Sequence, residues 1–331
     1  MAGWIQVRSG LPGKGGLSLE ESRAAYEIFD KTTSIPRMVV AIGNGEKRQF
    51  LQHACGTSTE PAHGIALRQL PSAIVADCDL HHHSELLPPG PPGEHILRYA
   101  LEHFPQRMQP SQIADLAQDF YWQALAPFSC VIVFFARDFC GLDPIVNVLI
   151  GWIRRATTNP LEAPPRVLIV CDEVKTTQLT LSRRLTTILK TALQAYHPLQ
   201  PVPSSSINSH CRKAFESIQL LPTLDTETLC LYTDDIFTRR GLQGLNFSAP
   251  HLKALLGQAV LSFTLGPEGR FSLYKASRAQ NPVPKDLPDH IVNCFLASRE
   301  SDLDIISVLA SALEFNAYPP GMHCTSLYAR L

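Results

Sequence analysis

No C-x-x-C pair occurs in this chain, although it holds 9 cysteines in 331 residues. Their odd number and wide spacing point to reduced thiols rather than a disulfide framework or a zinc knuckle. No G-x-S-x-G elbow and no G-G-G-x-R-G loop is present, so a serine hydrolase of the lipase kind is not encoded. There is also no G-x-G-x-x-G. The longest apolar run, residues 131–136 extended by Cys130, is far short of the ~20 residues that span a bilayer. Residues 1–20 lack the apolar core of a signal peptide. Charge of one sign is missing too: 29 basic against 30 acidic side chains leave a net charge of −1, so no global field draws in nucleic acid or an anionic membrane surface. A soluble, cytoplasmic chain without nucleic-acid partner or membrane span is expected.

What remains is a globular composition, 45% hydrophobic and 18% charged. From residue 37 onward short β-rich runs alternate with stretches of helical spacing. Strands are expected at 38–42, 65–70, 73–76, 130–135, 167–170 and 229–232, and helices at 46–55, 111–122, 143–153 and 178–195. Prolines 88, 89, 91 and 92 mark a surface excursion, and helices follow at about 248–263, 288–297 and 301–314. The punctuation divides the chain into an N-terminal extension at 1–35, an α/β domain at 36–235 and a C-terminal helical subdomain at 236–331. The expected architecture is α/β: a mostly parallel sheet with helices on both faces.

In such a sheet ligands bind beyond the carboxyl ends of the strands. The first strand runs into Gly43-Asn44-Gly45-Glu46-Lys47-Arg48, directly before a helix. A phosphate loop belongs there, because glycines let backbone N–H groups curl round phosphate oxygens and a lysine meets their charge. The pattern G-x-x-x-x-G-K-[ST] is not met. Three residues instead of five separate Gly43 from Lys47, and Arg48 stands where a Ser or Thr would hold Mg²⁺. Asp77 and Asp79, after the next well-formed strand, occupy the place of a Mg²⁺-associated acid, and Asp172 follows the 167–170 strand. Gly43, Asn44, Gly45, Lys47, Arg48, Asp77, Asp79 and Asp172 are therefore the candidate nucleotide-binding residues, with no catalytic residue and no metal ligand assigned. His81-His82-His83 reads as an exposed loop, since three consecutive side chains cannot all face one ion.

Several segments resemble the amino-terminal region of large filamentous-fungal proteins that carry a patatin-like phospholipase domain further along. They are 39–43 (VVAIG), 76–81 (ADCDLH), 127–142 (PFSCVIVFFARDFCGL), 165–171 (PRVLIVC) and 318–323 (YPPGMH). The resemblance implies a P-loop-NTPase-like fold without the patatin domain itself. The expected function is a regulatory or interaction module that binds a protein partner, with a nucleoside triphosphate as at most a weak ligand and no structural metal. The alternatives are an active Mg²⁺-dependent, GTPase-like NTPase, with Lys47 on the phosphates and Asp77 organising the ion, and an accessory subunit to a patatin-like lipid hydrolase.

Overall fold

The computed structural model describes residues 3–11, 15–56, 64–79, 88, 95–104, 110–158, 160–171, 187, 190–191, 211–266, 271–278, 284–297 and 304–317. Among the described residues nine strands form one sheet: β1 (Ile5–Leu11), β2 (Gly15–Ser22), β3 (Met38–Ile42), β4 (Ile65–Gln69), β5 (Ile74–Cys78), β6 (Ile96–Ala100), β7 (Ser129–Phe135), β8 (Arg166–Val170) and β9 (Ser217–Leu221), in the order β6-β2-β1-β4-β5-β3-β7-β8-β9. Among the described residues the helices are α1 (Glu27–Asp30), α2 (Gly45–Cys55), α3 (Pro110–Phe120), α4 (Leu142–Thr158), α5 (Thr226–Leu242), α6 (Ala249–Thr264), α7 (Leu273–Arg278), α8 (Leu287–Ala297) and α9 (Ile305–Ala317).

The α/β class holds, but the sheet is mixed and not mostly parallel. Strands β5, β3, β7, β8 and β9 pair in parallel. The other four pairings, which join β6, β2, β1, β4 and β5, are antiparallel. The reason is local. Between β4 and β5 the chain reverses within four residues, closed by the Leu70 N–H donating to the Ala73 carbonyl at 2.8 Å, and a connection that short joins only antiparallel neighbours. Residues 5–22 enter the same sheet instead of lying outside it as an extension. Part of the segment after the proline cluster returns as β6, paired to β2.

Both faces of the parallel half are covered. Val39, Ala41, Val75, Val133, Phe135 and Leu168 lie under α2 and α5, while Val40, Ala76, Ile132, Phe134, Val167 and Ile169 lie under α3, α4 and α6. The alternation of these two sets along each strand is the two-residue period of a pleated sheet, and burial on both faces accounts for unbroken apolar strands such as β7. One expected strand is wrong. Residues 229–232 belong to α5, because Asp225 caps its N-terminus by accepting from the Thr228 N–H at 2.7 Å, and Leu229, Thr233, Ile236 and Arg240 are buried at helical spacing. The last strand of the sheet is β9. Residues 265–284, expected as loop, contain α7. Of the expected 178–195 helix only residues 187, 190 and 191 are described, all three helical. The tail 318–323 and the three adjacent histidines lie outside the described residues.

Candidate functional site

From β3 the chain leaves through α2 to β4 and turns back to β5, both on one side of β3, and after β6 at the far edge it returns through α3 to β7 on the other side. The carboxyl end of β3 is thus a switch point, where crossovers diverge and leave a crevice. Three segments meet there: the turn Gly43-Asn44 into α2, Asp79 just beyond β5, and the turn Ala136–Phe139 after β7.

Helix α2 begins with N–H groups that lack partners within the helix. Its N-cap residue, Asn44, makes no side-chain cap hydrogen bond. Asp138 supplies the cap from a distant part of the chain. Its Oδ2 accepts from the backbone N–H of Asn44 at 2.6 Å and of Lys47 at 3.1 Å, and its Oδ1 from that of Glu46 at 2.9 Å. A carboxylate therefore occupies the position that a phosphate takes in a phosphate loop, favoured by the same donors and the same end of the helix dipole. Gly43 is needed for this approach, since a Cβ there would lie 2.5 Å from Asp138 Oδ2. The Asp138 turn is held in place from behind by Phe139, which packs edge-on against Phe134 with ring centroids 5.8 Å apart.

Lys47 is the second half of the site. The side chain is fully buried, and its ammonium lies 2.6 Å from Asp77 Oδ1, 2.9 Å from the Cys78 carbonyl and in contact with Asp79 Oδ1. Of the three N–H donors of a lysine ammonium, two are hydrogen-bonded, to the Cys78 carbonyl and Asp79 Oδ1, while Asp77 Oδ1 is held as an ion pair. Asp77 takes its other cation from Arg68, with Nε 2.6 Å from Oδ2, and Asp79 from Arg48, with Nη2 3.1 Å from Oδ2. The result is a chain of alternating charges, Arg68, Asp77, Lys47, Asp79, Arg48, in which each buried carboxylate has two cationic neighbours. Such pairing is what makes buried charge tolerable. Burial pushes the Cys78 thiol well above its ordinary range, against the opposing pull of Lys47, so it stays a protonated thiol rather than a nucleophile.

Of the residues singled out from the sequence, Gly43, Asn44, Gly45, Lys47, Arg48, Asp77 and Asp79 converge at this edge, whereas Asp172 lies outside the described residues. Asp138 and Arg68 were missed. Asp138 could have been found as the acid following the strand next to β3; Arg68 sits within an antiparallel strand, where no carboxyl-end rule points. Cys140, a residue at the end of the same turn, is exposed and adopts a left-handed φ of 56°. Among the described residues no cluster of three or more His, Cys, Asp or Glu is arranged to hold a metal ion, and no helix is long and apolar enough to cross a membrane.

A cleft of about 330 Å³ lies elsewhere, lined by Leu70, Ala73, Leu229 and Cys230 among others. It is at the amino end of β5, opposite the crevice, and Ser72 Oγ and Cys230 Sγ meet across it at 2.7 Å. Compared with models of known protein families and with curated proteins, the chain matches none.

Proposed function

We propose that this chain is a non-catalytic regulatory or interaction module with a P-loop-NTPase-like fold, whose phosphate loop is closed by the protein's own groups. The single observation that carries this is the double occupancy of the loop: Asp138 takes the backbone N–H groups, and Asp77, Asp79 and the Cys78 carbonyl take the lysine. Support for the fold comes from the arrangement of its parts. A glycine turn leads from a central strand into a helix, and the neighbouring parallel strand delivers acids to the same edge.

Phosphoryl transfer is mostly positioning and charge neutralisation. Here the lysine is held between two carboxylates and a carbonyl, no hydroxyl follows it, and an incoming phosphate has to displace a carboxylate held by three hydrogen bonds. A nucleoside triphosphate is accordingly a weak ligand and not a substrate. The test is to assay the purified full chain with ATP and GTP, with and without Mg²⁺. No hydrolysis above background and no Mg²⁺ dependence of binding are expected. Mg²⁺-dependent hydrolysis that Asp77→Asn abolishes without unfolding the protein overturns the proposal in favour of an NTPase.

A further inference from the structure

The cleft between the β4–β5 turn and the start of α5 has no part in the closed crevice. Its volume of about 330 Å³ equals roughly eleven water molecules at ~30 Å³ each, and it falls within the range of small-molecule sites. The inner wall is buried and apolar, with Leu70 and Ala73 from the turn and Leu229 from the helix. Thr233 also lines it but offers no free donor, since its hydroxyl donates to the Leu229 carbonyl at 2.7 Å. Nearer the rim, Ser72 Oγ and Cys230 Sγ are 2.7 Å apart, so each is the other's partner.

Glu227 is what remains. No lysine, arginine or histidine lines the cleft, and Glu227 is its one carboxylate. It stands exposed in the first turn of α5, where the helix dipole favours its anionic form. Its neighbours do not cancel that charge. Asp225 is itself held as an anion by the Thr228 N–H, and Arg37, which reaches the Ser72 carbonyl at 3.4 Å, is paired with Asp234 at 2.9 Å. An apolar wall beside an unneutralised carboxylate fits an amine with a hydrophobic body, which gains from burial while its ammonium meets the acid. A carboxylate or phosphate ligand meets a charge of its own sign. A partner's lysine has the ammonium but only a thin four-carbon stem behind it, which leaves the inner wall largely uncovered. We infer that this cleft binds a small primary amine carrying an apolar body about the size of a benzene ring. The inference does not depend on whether the crevice is closed to phosphate.

The experiment follows the backbone amide signals of the full chain during titration with phenethylamine, phenethyl alcohol and phenylacetate, which share a ring and differ in charge. The amine should shift the signals of residues 70, 72, 73 and 226–230 with a Kd of about 1 mM or tighter. It should bind at least about threefold more tightly than the alcohol and at least about tenfold more tightly than phenylacetate. Glu227→Gln should bring the amine down to the alcohol's affinity and leave the alcohol's unchanged. Thr226→Trp, which fills the cleft from its exposed rim, should weaken both at least about tenfold. Equal binding of phenylacetate, an amine affinity unaltered by Glu227→Gln, shifts confined to other residues, or no shift at about 10 mM amine overturns the proposal. So does an acetylated lysine methylamide that binds at least about tenfold more tightly than phenethylamine, which assigns the cleft to a partner protein's lysine.

Discussion

The carboxyl edge of the sheet and the C-terminal helices are opposites in how they are finished. At the sheet edge every charged group of the cluster has a partner supplied by the chain itself: Lys47 faces two aspartates, each aspartate has a second cation, and Asp138 closes the helix start. On α8 the reverse holds, with apolar side chains facing water. A region whose charges are paired within the chain contributes to holding the fold, whereas one with uncovered apolar surface exposes it to water. The sheet edge where open α/β folds ordinarily take their ligand is therefore the place where this chain pairs its own charges.

The largest effect that can break this comparison is expected at Lys47. Removing one member of a buried ion cluster strands its partners, so Lys47→Ala should cost about 3–5 kcal/mol in urea unfolding. A variant as stable as the parent means the cluster is not a structural element at all. Next comes Asp138→Ala, which leaves loop donors without their acceptor and should cost about 1–3 kcal/mol, with faster amide exchange at residues 44, 46 and 47. Gly43→Ala sharpens the same point. Its Cβ is placed to push the Asp138 carboxylate away, so its cost should fall by at least about 0.5 kcal/mol when measured in the Asp138→Ala background. Additive costs indicate that the glycine and the aspartate act independently.

Helix α5 is the control, since its N-terminus is capped by its own Asp225 and not by a remote acid. The backbone N–H of Thr228 holds the Asp225 carboxyl below the ordinary value of 3.8. A depressed carboxyl stabilises the folded state above its unfolded-state value, and that contribution disappears as the pH falls through the lowered one. The stability difference between the parent and Asp225→Ala should accordingly be constant near neutrality and shrink below about pH 4. A difference that is unchanged well below that pH shows that the carboxylate form is not what caps the helix. The smallest effect belongs to α8, where Phe295→Ser with Leu296→Ser should change stability by no more than about 0.5 kcal/mol. A larger loss shows that the face is packed within the chain.

Much of the parallel half was legible because its signals are local. The run that forms β7 is apolar throughout, and Lys47, Asp77 and Asp79 follow from knowing that ligands gather where strands end. The parts that escaped depend on distant partners. Strands β1, β2 and β6 are partly polar or glycine-bearing segments that become strands by pairing with one another. Residues 229–232 carry a β-like composition, but the aspartate four residues before them sets a helix. Asp138 lies 94 residues from the Asn44 N–H it accepts from, and no spacing rule reaches that far.

Whether the loop is closed to phosphate is tested most directly by calorimetric titration of the full chain with Mg²⁺·GTP and Mg²⁺·ATP. Binding no tighter than micromolar and indifferent to Mg²⁺ is expected, since Asp138 already holds the N–H groups of residues 44, 46 and 47 and the lysine is paired with Asp77 and Asp79. Nanomolar, Mg²⁺-dependent binding that Asp77→Asn weakens would contradict it.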